Sequence, residues 1–198
     1  MTLKVKENAD LSNLNTFGIQ AFAQKLVSIE SISDLQLFFN EYYDNKQLLI
    51  LGGGSNVLFV NDFNGIVLKN AIKGIEKIAE DDNYVWIKAM GGEIWHEFVL
   101  HTIERGWQGL ENLSLIPGSV GAAPMQNIGA YGVEIKDFFH ELEAYHIPSG
   151  EIHKFSAKDC AFGYRESVFK KSLKGQYIIL SVTFRLNKHP QFNTSYGS

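Results

Sequence analysis

Hydrophobic positions along the chain fall into short runs of strand length and one stretch of helical spacing. Lys25-Leu26-Val27-Ser28-Ile29 suits a strand. Ser33 then precedes Asp34-Leu35-Gln36-Leu37-Phe38-Phe39, with Gln36 three residues on, and this capping-box spacing predicts a helix to about Tyr43. Leu48-Leu49-Ile50-Leu51 reads as a buried strand ended by Gly52-Gly53-Gly54. Val57–Val60 and Ile66–Leu68 flank Asn64-Gly65, a strong turn dipeptide, and together predict a hairpin. Tyr84–Ala89 predicts another strand, broken at Gly91-Gly92. From Glu93 to Arg105 the spacing turns helical, with Ile94, Trp95, Phe98, Val99, Thr102 and Ile103 toward one side, and Gly106 stops it.

Further on, Glu141–His146 and Glu151–Phe155 predict a hairpin around Pro148-Ser149-Gly150. Ser156-Ala157-Lys158-Asp159 has the spacing of a helix start, and Tyr177–Leu186 is a long apolar strand. A soft boundary lies near Asn70–Gly74, which divides a mixed α and β chain into two small lobes. The segment Pro117–Gly132 fits neither period. It reads PGSVGAAPMQNIGAYG, without a charge and rich in small residues, the composition that lets another backbone or a ligand approach closely.

Composition narrows the function. A chain of 198 residues with 45% hydrophobic and 20% charged residues buries an ordinary core, so wholesale disorder is excluded. The net charge of −4 argues against a general nucleic-acid binder. The single cysteine, Cys160, excludes an internal disulfide framework and fits a reducing compartment. The chain opens without an apolar run of signal-peptide length and has no stretch long enough to span a bilayer, so the expectation is a cytoplasmic protein without membrane or nucleic-acid partners.

Candidate chemistry sits in three places. Gly52-Gly53-Gly54-Ser55-Asn56 follows a strand, where free backbone N–H groups form a nest for an anion such as phosphate. No Gly-Lys-Ser/Thr follows, as a P-loop requires, and Val57 stands where a dinucleotide fingerprint needs glycine. A plain turn is an equal alternative there. Two G-x-x-G spacings, Gly118/Gly121 and Gly129/Gly132, suggest a main-chain cradle for a large planar or phosphate-bearing ligand. Tyr164-Arg165-Glu166-Ser167 offers an Arg for a carboxylate or phosphate, although by itself it is equally a surface ion pair. His96 and His101 are spaced one residue too far apart for a zinc-protease pair, about 140° around a helix, and no metal site is expected.

Taken in order, these segments resemble the UDP-N-acetylenolpyruvoylglucosamine reductases. The resemblance rests on Leu14-Asn15-Thr16-Phe17-Gly18, Leu51–Leu58, Ile116–Pro124, Gln126–Gly132 and Tyr164–Ser167. It implies an α+β fold: a two-lobed FAD-binding module of the vanillyl-alcohol oxidase type, with lobes over 1–71 and 72–190. It further implies non-covalent FAD, NADPH as co-substrate, and a small nucleotide-sugar substrate whose enolpyruvyl group is reduced in peptidoglycan synthesis, by a monomer. The resemblance assigns the FAD pyrophosphate to Gly52, Gly53, Gly54, Ser55 and Asn56. The flavin falls to Pro117, Gly118, Gly121, Ala122, Ala123, Gln126, Asn127 and Gly129, and the adenine end to Ile179. Arg165 takes the catalytic role over the substrate carboxylate, with Tyr164 and Tyr196 as substrate contacts. The family's proton-donating serine lies in a Gly-Ser-Phe-Phe motif that these residues lack, so 191–198 is expected to begin a further, substrate-binding domain, and this part by itself is expected to lack full turnover. A flavin-binding module without catalysis, or another FAD oxidoreductase on the same module, are the competing readings.

Overall fold

The computed structural model describes residues 3–189. Two sheets carry the architecture. The first has the order β1-β2-β4-β3, from β1 (Lys4–Asp10), β2 (Phe22–Ile29), β3 (Leu48–Leu51) and β4 (Phe63–Asn70). β1 runs antiparallel to β2, whereas β2 and β3 both pair parallel with β4. The helix α1 (Ile32–Leu37), continued by a wider turn at Phe38–Tyr42, forms the crossover from β2 to β3. The second sheet is antiparallel with order β10-β9-β11-β6-β5. Its strands are β5 (Ile75–Glu80), β6 (Tyr84–Met90), β9 (Phe139–His146), β10 (Ile152–Ser156) and β11 (Tyr177–Asn187). The short pair β7 (Gly129–Ala130) and β8 (Val133–Glu134) stands apart, and the other α-helices among the described residues are α2 (Trp95–Glu104) and α3 (Ala157–Cys160).

Side-chain alternation explains the second sheet. Val85, Ile87 and Ala89 of β6 and Val182, Phe184 and Leu186 of β11 face a core closed by Trp95, Phe98 and Val99 of α2. The rings of Trp95 and Phe98 lie 5.8 and 5.3 Å from that of Phe184. In the first sheet β4 is buried on both faces. Ile66 and Leu68 pack with Val27, Leu35 and Phe38, while Val67 packs with Leu11, Leu51 and Phe59. The cluster around Ile66 also contains Tyr145, Ile178 and Leu180 of the second sheet, so one apolar core is shared between the two. Phe39 stacks on Tyr145 across this junction at 5.3 Å.

Several expectations are corrected. No hairpin forms around Asn64-Gly65: Val57–Val60 is irregular chain anchored by the buried Phe59, and Ile66–Leu68 belongs to the parallel strand β4. Gly65 serves close approach rather than a turn, since a Cβ there would come 2.3 Å from the Gln47 carbonyl oxygen. The first helix is capped by Ser31, not Ser33; Ser31 Oγ accepts from Asp34 N–H at 3.0 Å, and Asp34 Oδ2 accepts from Glu30 N–H. Ser33 lies inside the helix, one residue past its start, where it cannot serve as the N-cap. The strands β1 and β5 were not anticipated. At α3 the predicted start is observed as a full capping box between Ser156 and Asp159, and the hairpin of β9 and β10 also forms as expected.

Candidate functional site

β3 delivers the chain into the turn Gly52–Asn56. Gly54 has φ +70°, and a Cβ there would come within 1.9 Å of the Leu14 carbonyl oxygen, so only glycine fits. The Leu14–Gly18 turn behind it is organised by the buried Asn15. Its Nδ2 donates to the Leu11 and Ile19 carbonyls at 2.9 Å, and its Oδ1 accepts from Ile19 N–H at 3.0 Å. Among the described residues, the N–H groups of Gly53, Gly54, Ser55 and Asn56 donate to no protein acceptor. They form an open nest.

A second main-chain segment faces this turn. A Cβ on Gly53 would lie 3.0 Å from Gly118 Cα, and one on Gly52 would lie 2.5 Å from Ser119 Oγ. The N–H groups of Gly118 and Ser119 likewise donate to no acceptor among the described residues. Trp95 N–H donates to the Gly118 carbonyl at 3.0 Å, and Val120 N–H donates to that of Glu93 at 2.9 Å, which fix this loop to the start of α2. Gly121 lies against Gly91, with its N–H donating to the Gly91 carbonyl at 2.9 Å. A Cβ on Gly121 would sit 3.0 Å from Gly91 Cα and 3.1 Å from the Ile179 carbonyl oxygen. Uncharged small residues in this segment thus let several backbones meet.

Two adjoining cavities open here. One, of about 260 Å³, is lined by Gly52–Asn56, Pro117, Gly118, Ala122, Ala123 and Gln126, with Trp95 and Lys170. The other, of about 570 Å³, lies between β3 and β11 and is lined by Leu48–Ile50, Gly121, Ile179, Tyr177 and Lys174. They share Ile50, Gly52, Ser119, Ala122 and Met125 as walls. Each has a lysine and no carboxylate in its lining, which favours an anionic occupant. The combined size is that of a ligand or cofactor site.

A third cavity, of about 620 Å³, is lined by Gly129–Glu134, Lys136, Asp137, Tyr164 and Arg165. Lys136 is held charged there by its hydrogen bond to Glu134. Both Tyr164 and Arg165 are exposed, and among the described residues the Arg165 guanidinium has no acceptor.

The predicted residues therefore divide. Gly52–Asn56, Pro117, Gly118, Ala122, Ala123 and Gln126 gather in the first cavity, Gly121 and Ile179 in the second, and Gly129, Tyr164 and Arg165 in the third. Asn127 lines none of them: it is fully buried at φ +43°, and both ends of its amide are bound to protein. Tyr196 and the expected further-domain start at 191–198 lie outside the described residues. Sequence reasoning did not select Ser119 and Met125, although both belong to the uncharged segment that drew attention. Asn70 carried no signal. It ends β4, lines the second cavity, and donates from Nδ2 to the Ile179 carbonyl at 3.1 Å while its Oδ1 accepts from Ile72 N–H.

Residues 23–156, more than half of the chain, match the FAD binding domain family. The chain belongs to this family of FAD-binding domains. Among curated relatives of this FAD-binding domain, the UDP-N-acetylenolpyruvoylglucosamine reductase of Amoebophilus asiaticus is 54% identical over 99% of this chain and 58% of its own length. That of Flavobacterium johnsoniae is 47% identical over 98% of this chain and 58% of its own length. The chain thus spans less than two thirds of the relatives it matches. Among solved structures, the same reductase (MurB) from Thermus caldophilus superposes with a TM-score of 0.74 at 26% identity, covering 96% of this chain and 64% of that one. A solvent-stable cholesterol oxidase matches at TM-score 0.63 and 12% identity over 94% of this chain and 38% of its own, which shows the fold alone. The expected α+β, two-lobed fold of the vanillyl-alcohol oxidase type is the one observed. No helix among the described residues is long and apolar enough to cross a membrane, and no group of three or more His, Cys, Asp and Glu among them could hold a metal.

Proposed function

We propose that this FAD-binding domain holds FAD between its two sheets as part of a UDP-N-acetylenolpyruvoylglucosamine reductase. The whole protein then uses NADPH to reduce the enolpyruvyl group of UDP-N-acetylglucosamine enolpyruvate to UDP-N-acetylmuramate in peptidoglycan synthesis. The observation that carries this reading is the facing pair of N–H nests, Gly53–Asn56 and Gly118–Ser119, which have no acceptor among the described residues. A pyrophosphate needs many donors from backbone that approaches closely, and a Cβ at Gly53 would fill that space. The larger, mostly apolar cavity beside the nests suits the planar and adenosine parts of the same molecule.

FAD, when bound, supplies two-electron hydride transfer. The chain's own residues bind and polarise. Hydride arriving at the enolpyruvyl double bond leaves negative charge on the carbon that bears the carboxylate. A fixed cation facing that carboxylate stabilises the transition state more than the ground state. We assign this role to Arg165, whose guanidinium has no acceptor among the described residues at the third cavity, and a substrate contact to its neighbour Tyr164. Tyr196 is assigned to cover the substrate. Lobes at 1–71 and 72–190, a substrate domain beginning at 191–198, a monomeric state and a cytoplasmic location complete the proposal.

The first test is the visible spectrum of the purified protein after FAD is added and excess removed by desalting. Retained flavin bands are expected, with affinity at least tenfold weaker in Gly53→Ala. A folded protein that stays colourless overturns the assignment. In the complete reductase, Arg165→Lys is expected to lower kcat/KM for the enolpyruvyl sugar by about 10²-fold, and an unchanged value overturns the catalytic role.

A further inference from the structure

Arg165 occupies an unfavourable backbone position. Gly163 N–H donates to the Glu166 carbonyl at 3.1 Å and Glu166 N–H donates back to that of Gly163 at 3.2 Å, so Tyr164 and Arg165 form the apex of a two-residue turn. Arg165 has φ +54°, at the turn position that prefers glycine when only the second apex residue is left-handed. An exposed arginine held so must be constrained by its surroundings.

The constraint comes from the segment that runs between the first and third cavities. The Nδ2 of the buried Asn127 donates to the Gly163 carbonyl at 3.0 Å, two residues before Arg165. The Oγ of the buried Ser167 donates to the Met125 carbonyl at 2.7 Å, two residues after it. Asn127 is fixed in turn, because its Oδ1 accepts from Lys136 N–H at 3.2 Å. From outside, Lys170 Nζ donates to the Arg165 carbonyl at 3.1 Å, and Lys170 itself lines the first cavity.

We infer that Asn127 and Ser167 are positioning residues: a two-point clamp that sets the Tyr164–Arg165 turn against the cavity wall at Met125, with Lys170 as an outer tie. The inference rests on the reductase reading, because it gives the clamp a substrate-orienting purpose. It also reassigns Asn127 from lining the cofactor to holding the cation that faces the substrate. Asn127 suits the task because asparagine tolerates φ +43° while carrying a donor and an acceptor. Small displacements of a group aimed at developing charge cost rate steeply.

Three substitutions test this: Asn127→Gly, which keeps the left-handed backbone; Ser167→Ala; and Lys170→Met on the exposed side, where folding is not at risk. Hydrogen exchange of the peptide spanning 161–168 is expected to accelerate at least tenfold in the first two and about threefold in the third. Protection of β9 and β11 stays unchanged in all three, and FAD is retained by Asn127→Gly and Ser167→Ala. In the complete reductase, kcat/KM for the enolpyruvyl sugar falls about tenfold while kcat/KM for NADPH stays within twofold. Unchanged exchange in the turn, faster exchange with an unchanged enolpyruvyl kcat/KM, or equal losses for both substrates overturns the clamp. Arg165→Lys separates the two claims. If it leaves enolpyruvyl reduction intact, the catalytic reading fails; if it impairs reduction and the clamp variants do not, only the clamp fails.

Discussion

Glycines in this protein are required for different reasons, and their replacement separates those reasons. A Cβ on Gly54 meets the Leu14 carbonyl oxygen at 1.9 Å and φ is +70°, whereas Gly18 has φ +61° with open space around it. Gly54→Ala is expected to destabilise the fold by roughly 3–5 kcal/mol and Gly18→Ala by about 1 kcal/mol, measured by urea unfolding. Equal losses would mean that backbone strain alone governs both. Cys160 makes a second residue-scale case. Burial deprives its thiolate of water and pushes the thiol from 9.0 up to about 12, with Asp159 adding to the shift. The unfolded chain ionises near 9.0, so the folded state loses stability as pH rises from there toward about 12. The native protein should resist thiol reagents at pH 8 and react once unfolded. Its stability should fall more steeply above pH 9 than that of Cys160→Ala. The glycine-rich turns were legible in the sequence because their composition is unusual. The ties from Asn127 to Gly163 and from Ser167 to Met125 were not, since they join residues 36 and 42 positions apart and no local pattern encodes them.

At the scale of elements, legibility followed burial. The strands β6 and β11 alternate or run apolar because they are central, and both were predicted. β1 and β5 are edge strands with six and five exposed residues, so they carry no apolar face to read. β4 was misread as half of a hairpin because its partners β2 and β3 are parallel, and parallel pairing leaves no turn signature. Its last residue joins the two sheets: Asn70 donates to Ile179 of β11 and accepts from Ile72. Asn70→Asp keeps the shape but sets a carboxylate against a carbonyl. We expect a loss of about 2 kcal/mol relative to wild type at pH 7. The carboxyl would have its pKa raised in the folded state, because only its protonated form can donate to Ile179. The loss therefore shrinks below the unfolded carboxyl pKa and is complete above the folded one. Paired unfolding curves at pH 4 and pH 7 check this, and a loss that grows on acidification refutes it.

At the scale of the whole molecule the shared core decides how the two sheets behave. Tyr145, Ile178 and Leu180 of the second sheet pack with Val27, Leu35, Phe38 and Ile66 of the first, so neither sheet closes its core without the other. Unfolding should then be one transition. All three tryptophans, Trp86, Trp95 and Trp107, lie in or beside the second sheet and report on it by fluorescence. Hydrogen exchange of β2 and β4 reports on the first. The proposed cofactor gives this coupling a ligand-dependent test, because its site has walls from both sheets, β3 on one side and β11 on the other. FAD at a hundred times its Kd should stabilise both reporters by the same amount, about 2.7 kcal/mol. In Gly53→Ala the shift should shrink at the same FAD concentration, since that Cβ intrudes on the nest and Gly118. Stabilisation of the fluorescence transition with β2 and β4 unaffected would place the cofactor on the second sheet alone. The facing nests would then be a packing feature and not a binding site.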